Sequence, residues 1–102
     1  MLAVAKREVR EEIGYDASEW LHIGSVDVCN GVTTDVQHLF TARELVFVGT
    51  EQDPFEEIVT QWKPFEEAVE MVLSGSITEV CSVAAILRHS HTHSKLGKTW
   101  QN

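Results

Sequence analysis

An α/β (α+β) chain is what three features of the amino-acid sequence predict. Leu2 to Ile13 repeats at the helical period and stops at Gly14, and two alternating stretches lie either side of Asn30-Gly31. Two further helical patterns follow between Pro64 and Arg88. At 102 residues there is room for one domain, and 43% apolar content supplies a modest core. The pattern assigns 1–88 to that domain and 89–102 to a polar tail.

The first helix carries Leu2, Ala5, Val9 and Ile13 on one face, which gives it a side to bury. Glu8, Glu11 and Glu12 stand at i, i+3 and i+4, so their carboxylates share another. Three like charges on one face repel by a few tenths of a kcal/mol per pair. A solvated acidic face is the ordinary outcome of such a run. The other is a hard divalent cation, because Mg2+ takes oxygen ligands from one or two carboxylates together with substrate phosphates. Gly14 falls where a left-handed residue ends a helix.

Asp16 to Glu19 reads as a polar link and Trp20 to Cys29 as a strand, with a phase shift at Gly24 that predicts a bend or bulge. Asn30-Gly31 signals a turn, and Asp35 to Ala42 alternates as a second strand that Leu45 to Val48 continues or follows. A polar loop, Gly49 to Glu57, bears Glu51, Asp53, Glu56 and Glu57, and Ile58 to Trp62 is expected as a strand. Pro64 opens a helix with an apolar face of Phe65, Ala68, Val69, Val72 and Leu73, which Gly75 ends. Thr78 is the expected N-cap of a last helix with Val80, Val83, Ala84 and Leu87 on its apolar face. His89, His91 and His93 alternate beyond it, and a frayed terminus is preferred there over a metal site.

Charge and cysteine usage narrow the function classes. Eight Lys and Arg against 16 Asp and Glu, a net charge of -8, argue against general affinity for DNA or RNA backbones. Cys29 and Cys81 lack C-x-x-C spacing, so neither a zinc nor a redox motif is indicated. No apolar run approaches the roughly 18 residues of a membrane span, no signal pattern opens the chain, and a cytoplasmic location is expected.

Arg7, Glu8, Val9, Glu11, Glu12 and Gly14 fall in register on R-E-U-x-E-E-x-G, where U is apolar, and Tyr15 takes a place where an aliphatic residue is usual. In this the chain resembles the second half of the Nudix box. Counted back from Arg7, the first glutamate of that pattern would lie two residues before Met1 and its glycine eight before, so the resemblance is to a domain that begins inside its catalytic helix. The run from Trp62 to Leu87 resembles the ADP-ribose or ADP-sugar pyrophosphatase branch.

The resemblance implies an incomplete α/β/α sandwich with a mixed sheet flanked by helices. It also implies hydrolysis of a nucleoside diphosphate-linked small molecule at its pyrophosphate, with Mg2+ or Mn2+ as cofactor. Carried over by position, Glu8 and Glu12 are metal ligands, Glu11 a third or water-mediated one, Glu8 a candidate base, and Arg7 the residue that holds a carboxylate. The branch often adds a loop glutamate; Glu51, Glu56 and Glu57 are its candidates, and Glu56 is taken as catalytic. A non-catalytic remnant, serving as an oligomerisation or nucleotide-binding module, is the alternative. Uncovered strand edges make a homodimer the expected assembly, with no nucleic-acid or membrane partner.

Overall fold

A computed structural model describes residues 1–29, 31–49 and 60–96, with side chains through 92. The α+β class holds. Helix α1 (Leu2–Ile13) leads into strands β1 (Tyr15–Cys29) and β2 (Thr34–Phe47), and helices α2 (Phe65–Leu73) and α3 (Val80–Leu96) follow. Among the described residues the sheet has two strands. They are antiparallel: Tyr15 meets Phe47, Glu19 meets Arg43, His22 meets Phe40 and Cys29 meets Thr34, so one strand's numbers rise as the other's fall. No helix among the described residues is long and apolar enough to cross a membrane.

Both strands are longer than expected, and each extension explains the other. Asp16 to Glu19 is strand rather than link, because Leu45 and its neighbours continue β2 opposite it. Tyr15 packs edge-on against Phe47 at 5.3 Å, and Arg43 Nε stands 3.8 Å from a Glu19 carboxylate oxygen. The expected bend at Gly24 is present: its φ is 139, and the half-buried positions shift phase from Ile23 to Val26 and Val28. A Cβ at Gly24 would run into the Arg88 guanidinium, which donates to the Ile23 carbonyl at 3.4 Å. Glu44, at φ 59, is a non-glycine residue in the left-handed region within β2. Of the expected Ile58 to Trp62 strand, Thr60 to Trp62 is irregular, and the rest lies outside the described residues.

The helix ends follow local chemistry. Gly14 closes α1 at φ 79 and ψ 28, and its N–H reaches the Val9 and Arg10 carbonyls. Pro64 precedes α2 as its N-cap, one position earlier than expected, and Gly75 beyond the other end has φ 88. At α3 the cap is Glu79 and not Thr78. Its carboxylate accepts the backbone N–H of Cys81 and of Ser82, each at 2.9 Å, and the Ser82 hydroxyl at 2.9 Å. Those are the second and third helical positions, whose donors have no partner inside the helix. The last helix also runs on past Arg88 to Leu96, so His89 to Leu96 is helical where a frayed tail is expected.

The described residues fall into two compact units. One joins Met1–Leu21 to Ala42–Trp62, and the other joins His22–Thr41 to Lys63–Asn102. In the second, α2 packs on α3, with Phe65 edge-on to His89 at 4.8 Å. Leu39 and His89 are its buried side chains. The apolar face of α3 is turned from expectation: residues 81–86 are half-buried, whereas Val80 and Leu87 are exposed. Leu73, assigned to the packed face of α2, is exposed as well. In the first unit Tyr15 sits between Phe47 and Trp62, with the Trp62 ring at 5.5 Å.

Candidate active site on the first helix

Helix α1 is three-sided. Ala5, Val9 and Ile13 are half-buried, while every charged residue of the helix is exposed. At 100° per residue, Glu8, Glu11 and Glu12 cluster in one sector and Lys6 and Arg10 in another, on the order of 170° away, while Arg7 lies between them, about 40° from Glu11. The period that predicts the acidic face therefore also sets Lys6 and Arg10 opposite it, with Arg7 at the border.

The basic sector faces a cleft of about 470 Å³, lined by Lys6, Arg7, Arg10, Asp16, Ala17 and Trp20. Its far wall is the start of β1, which folds back along α1 after the left-handed turn at Gly14. A 2.7 Å bond from the Val48 N–H to the Gly14 carbonyl ties that turn to the chain beyond β2. Arg10 pairs with Asp16 at 3.5 Å, and the Trp20 indole N–H donates to the Ala17 carbonyl at 3.0 Å. Both partners of the ion pair are about half exposed, so the contact contributes little to stability. Arg7 lines the cleft and makes no ion pair among the described residues.

On the opposite sector the three carboxylates form a row. Among the described residues no three of His, Cys, Asp and Glu are gathered closely enough to hold a metal by themselves. The donors are hard oxygens, which suit Mg2+ or Mn2+, and a row of this kind offers such an ion one or two carboxylates. Glu56, with Glu51 and Glu57, lies outside the described residues.

Two features of this chain are not expected from the sequence. Lys6, Arg10 and Trp20 come together only because β1 doubles back on α1, and that is a tertiary event. His89 did leave a signal: Ser82, Ala85, Ile86 and His89 recur at i, i+3, i+4 and i+7, a helical face with two apolar residues between two polar ones.

No protein-family model matches the chain. Among curated proteins it is similar to a pyrophosphatase. That relative is an ADP-ribose pyrophosphatase of Mycobacterium tuberculosis, 33% identical over 85 residues, an alignment that covers 81% of this chain and 41% of the relative. The chain thus spans about two fifths of the length of the curated protein it matches.

Proposed function

We propose that this chain is a Nudix-type hydrolase of nucleoside diphosphate derivatives, dependent on Mg2+ or Mn2+, that cleaves the pyrophosphate of ADP-ribose or an ADP-sugar. The observation that carries this reading is the 33% identity over 85 residues to an ADP-ribose pyrophosphatase. The register of Arg7 to Gly14 on the Nudix pattern supports it from a second direction. In the reaction, water adds to one phosphorus, the bridging P–O bond breaks, and AMP and a sugar phosphate leave. A bound divalent ion supplies charge neutralisation and a more acidic water. Glu8 and Glu12 would hold that ion, Glu11 would hold it directly or through water, and Glu8 is the candidate base. Arg7 and the loop residue Glu56 are assigned supporting roles at the same centre.

The test is chromatographic detection of AMP from ADP-ribose and ADP-sugars in the presence of Mg2+, with wild-type chain and a Glu8→Gln variant side by side. Product from the wild type, reduced about 100-fold or more by the substitution, is expected. Absence of product across a panel of nucleoside diphosphate derivatives would sink the reading. Undiminished turnover in Glu8→Gln would remove Glu8 from it.

A second reading, a nucleotide-binding or oligomerisation module without turnover, is favoured by the sparse core: Leu39 is the one buried apolar side chain among the described residues. Binding of ADP-ribose without hydrolysis would select it. Either reading takes a homodimer as the assembly, because Leu45, Val46, Phe47 and Val48 form an exposed apolar run at the end of β2 that a second copy would cover. Sedimentation showing a folded monomer at low micromolar concentration would exclude the dimer. The free cysteines fit the proposed cytoplasmic setting.

A further inference from the structure

Three of the chain's eight Lys and Arg side chains line one cleft, in a molecule whose net charge is -8. Lys6 and Arg10 share a side of α1 one turn apart, and Arg7 stands at the rim. Neither Lys6 nor Arg7 has an ion-pair partner among the described residues, while Arg10 turns one nitrogen to Asp16 at 3.5 Å. A guanidinium carries five N–H donors, so that contact leaves others for a ligand. Three cations against one carboxylate give the cleft a local excess of two positive charges. This matches a phosphate monoester, which carries about -1.5 to -2 at pH 7.

Volume and lining decide between a bare ion and a larger molecule. At about 470 Å³ the cleft has more room than a phosphate needs, and it falls within the roughly 300–1,000 Å³ of small-molecule sites. Its far wall includes Ala17 and Trp20, both half-buried, and the Trp20 indole is fixed by its 3.0 Å bond to the Ala17 carbonyl. Such a wall gives the body of a ligand an apolar surface while the cations take its charge. A neighbouring cleft of about 460 Å³ shares Asp16 and Ala17 but adds Glu44 and no cation, so it repels the same ligand.

We propose that the cleft between α1 and the start of β1 binds a phosphomonoester of nucleotide size. Lys6, Arg7 and Arg10 surround the phosphate, and the wall of Ala17 and Trp20 meets the rest of the molecule. An arginine fork can hold two phosphate oxygens at once, and a lysine adds a mobile point charge. Lys6 and Arg10 lie on the side of α1 away from Glu8, Glu11 and Glu12, so the site needs no divalent ion and does not depend on the proposed hydrolase reading. Asp16 limits the affinity, because it competes for Arg10 and repels the phosphate. The cleft is open to water, so added salt weakens binding.

AMP, adenosine and inorganic phosphate would each be titrated into the isotope-labelled full chain in the presence of a chelator and followed by NMR. Expected are saturable shifts of the Lys6, Arg10 and Ala17 amides and of the Trp20 indole N–H with AMP, and binding of phosphate and of adenosine at least about tenfold weaker. Lys6→Ala and Arg10→Gln, whose native side chains are exposed and whose melts should match wild type, should each weaken AMP binding about threefold to tenfold. Asp16→Asn should tighten it about threefold, a change of sign that damage to the fold would not produce. Glu8→Gln with Glu12→Gln should bind AMP like wild type under these conditions. No saturable binding by the folded chain, phosphate or adenosine as tight as AMP, or weaker binding in Asp16→Asn would overturn the proposal. AMP shifts that require Mg2+ and vanish in Glu8→Gln with Glu12→Gln would place the nucleotide on the acidic face and overturn it as well.

Discussion

The unit that carries the acidic helix and the unit that carries the helix pair are built to different standards. In the second, α3 begins on a side-chain cap at Glu79, α2 packs against it, and Leu39 and His89 are buried. In the first, α1 begins without a side-chain cap and buries no residue, and among the described residues the only fully buried position is Gly14. Its contacts are made at the surface: the Arg10 to Asp16 pair, the Tyr15 ring between Phe47 and Trp62, and an exposed apolar run at the end of β2. The carboxylates of the proposed hydrolase site sit in the unit with little core, and helix packing sits in the other. Charged groups must stay near water to keep their charge, so a helix devoted to them cannot also bury much.

The largest separation of the two should come from the acidic face. Glu8→Gln with Glu12→Gln is expected to abolish Mg2+ binding and to lower any turnover about 100-fold or more, while the unfolding midpoint stays within about 0.5 kcal/mol of wild type because both side chains are exposed. Isothermal titration with Mg2+ and a urea melt on the same sample provide both readouts. Equal metal affinity in the two proteins would remove the acidic face from the function.

Leu39→Ala makes the converse test in the other unit. Leu39 is 5% exposed and is the buried apolar residue among those described, so its truncation should cost about 2–4 kcal/mol and lower the urea midpoint accordingly. A loss below about 1 kcal/mol would show that the site collapses around the smaller residue, and that this unit has no more of a core than its neighbour.

How far the sequence foretold this division depends on the range of the interaction involved. Local backbone rules were legible: Gly14 and Gly75 end helices with positive φ, and Gly24 bends β1. The shared face of Glu8, Glu11 and Glu12 follows from the helical period alone. What was missed required a partner distant in the chain. Asp16 to Glu19 looks like a link until β2 is found extended opposite it. The cleft beside Lys6, Arg7 and Arg10 exists only after β1 has turned back along α1. The cap of α3 was missed for another reason: glutamate is not among the favoured N-cap residues, yet its longer side chain reaches both open amides here.

A smaller effect of opposite sign is expected at Thr41. Its hydroxyl is buried without a hydrogen-bond partner among the described residues, although a hydroxyl taken from water needs one. Thr41→Val keeps the branched shape and removes the unsatisfied oxygen, which should stabilise the chain by about 0.5–1.5 kcal/mol. Destabilisation in a thermal melt would show that the hydroxyl is satisfied in solution.

The smallest effect concerns acid, and it distinguishes the capped helix from the uncapped one. The Cys81 backbone N–H, then the Ser82 N–H and hydroxyl, hold the Glu79 carboxylate below the ordinary glutamate pKa, outweighing the slight opposing effect of burial. With its pKa depressed on folding, Glu79 binds a proton less readily in the native chain than in the unfolded one. Its stabilising contribution is therefore complete above the ordinary glutamate value and is lost as pH falls through the lowered native value. The helix dipole favours the same charged form at this end. Glu79 is fully solvent-exposed, so salt and water keep the effect small, and it is best read locally. Glu79→Gln should speed amide exchange at Cys81 and Ser82 above pH 5, and the difference from wild type should shrink as the medium is acidified. No comparable change is expected in the first turn of α1, which has neither an acidic residue nor a side-chain cap. A difference that stays constant or grows toward low pH would mean that the charge of Glu79 is not what holds the start of α3.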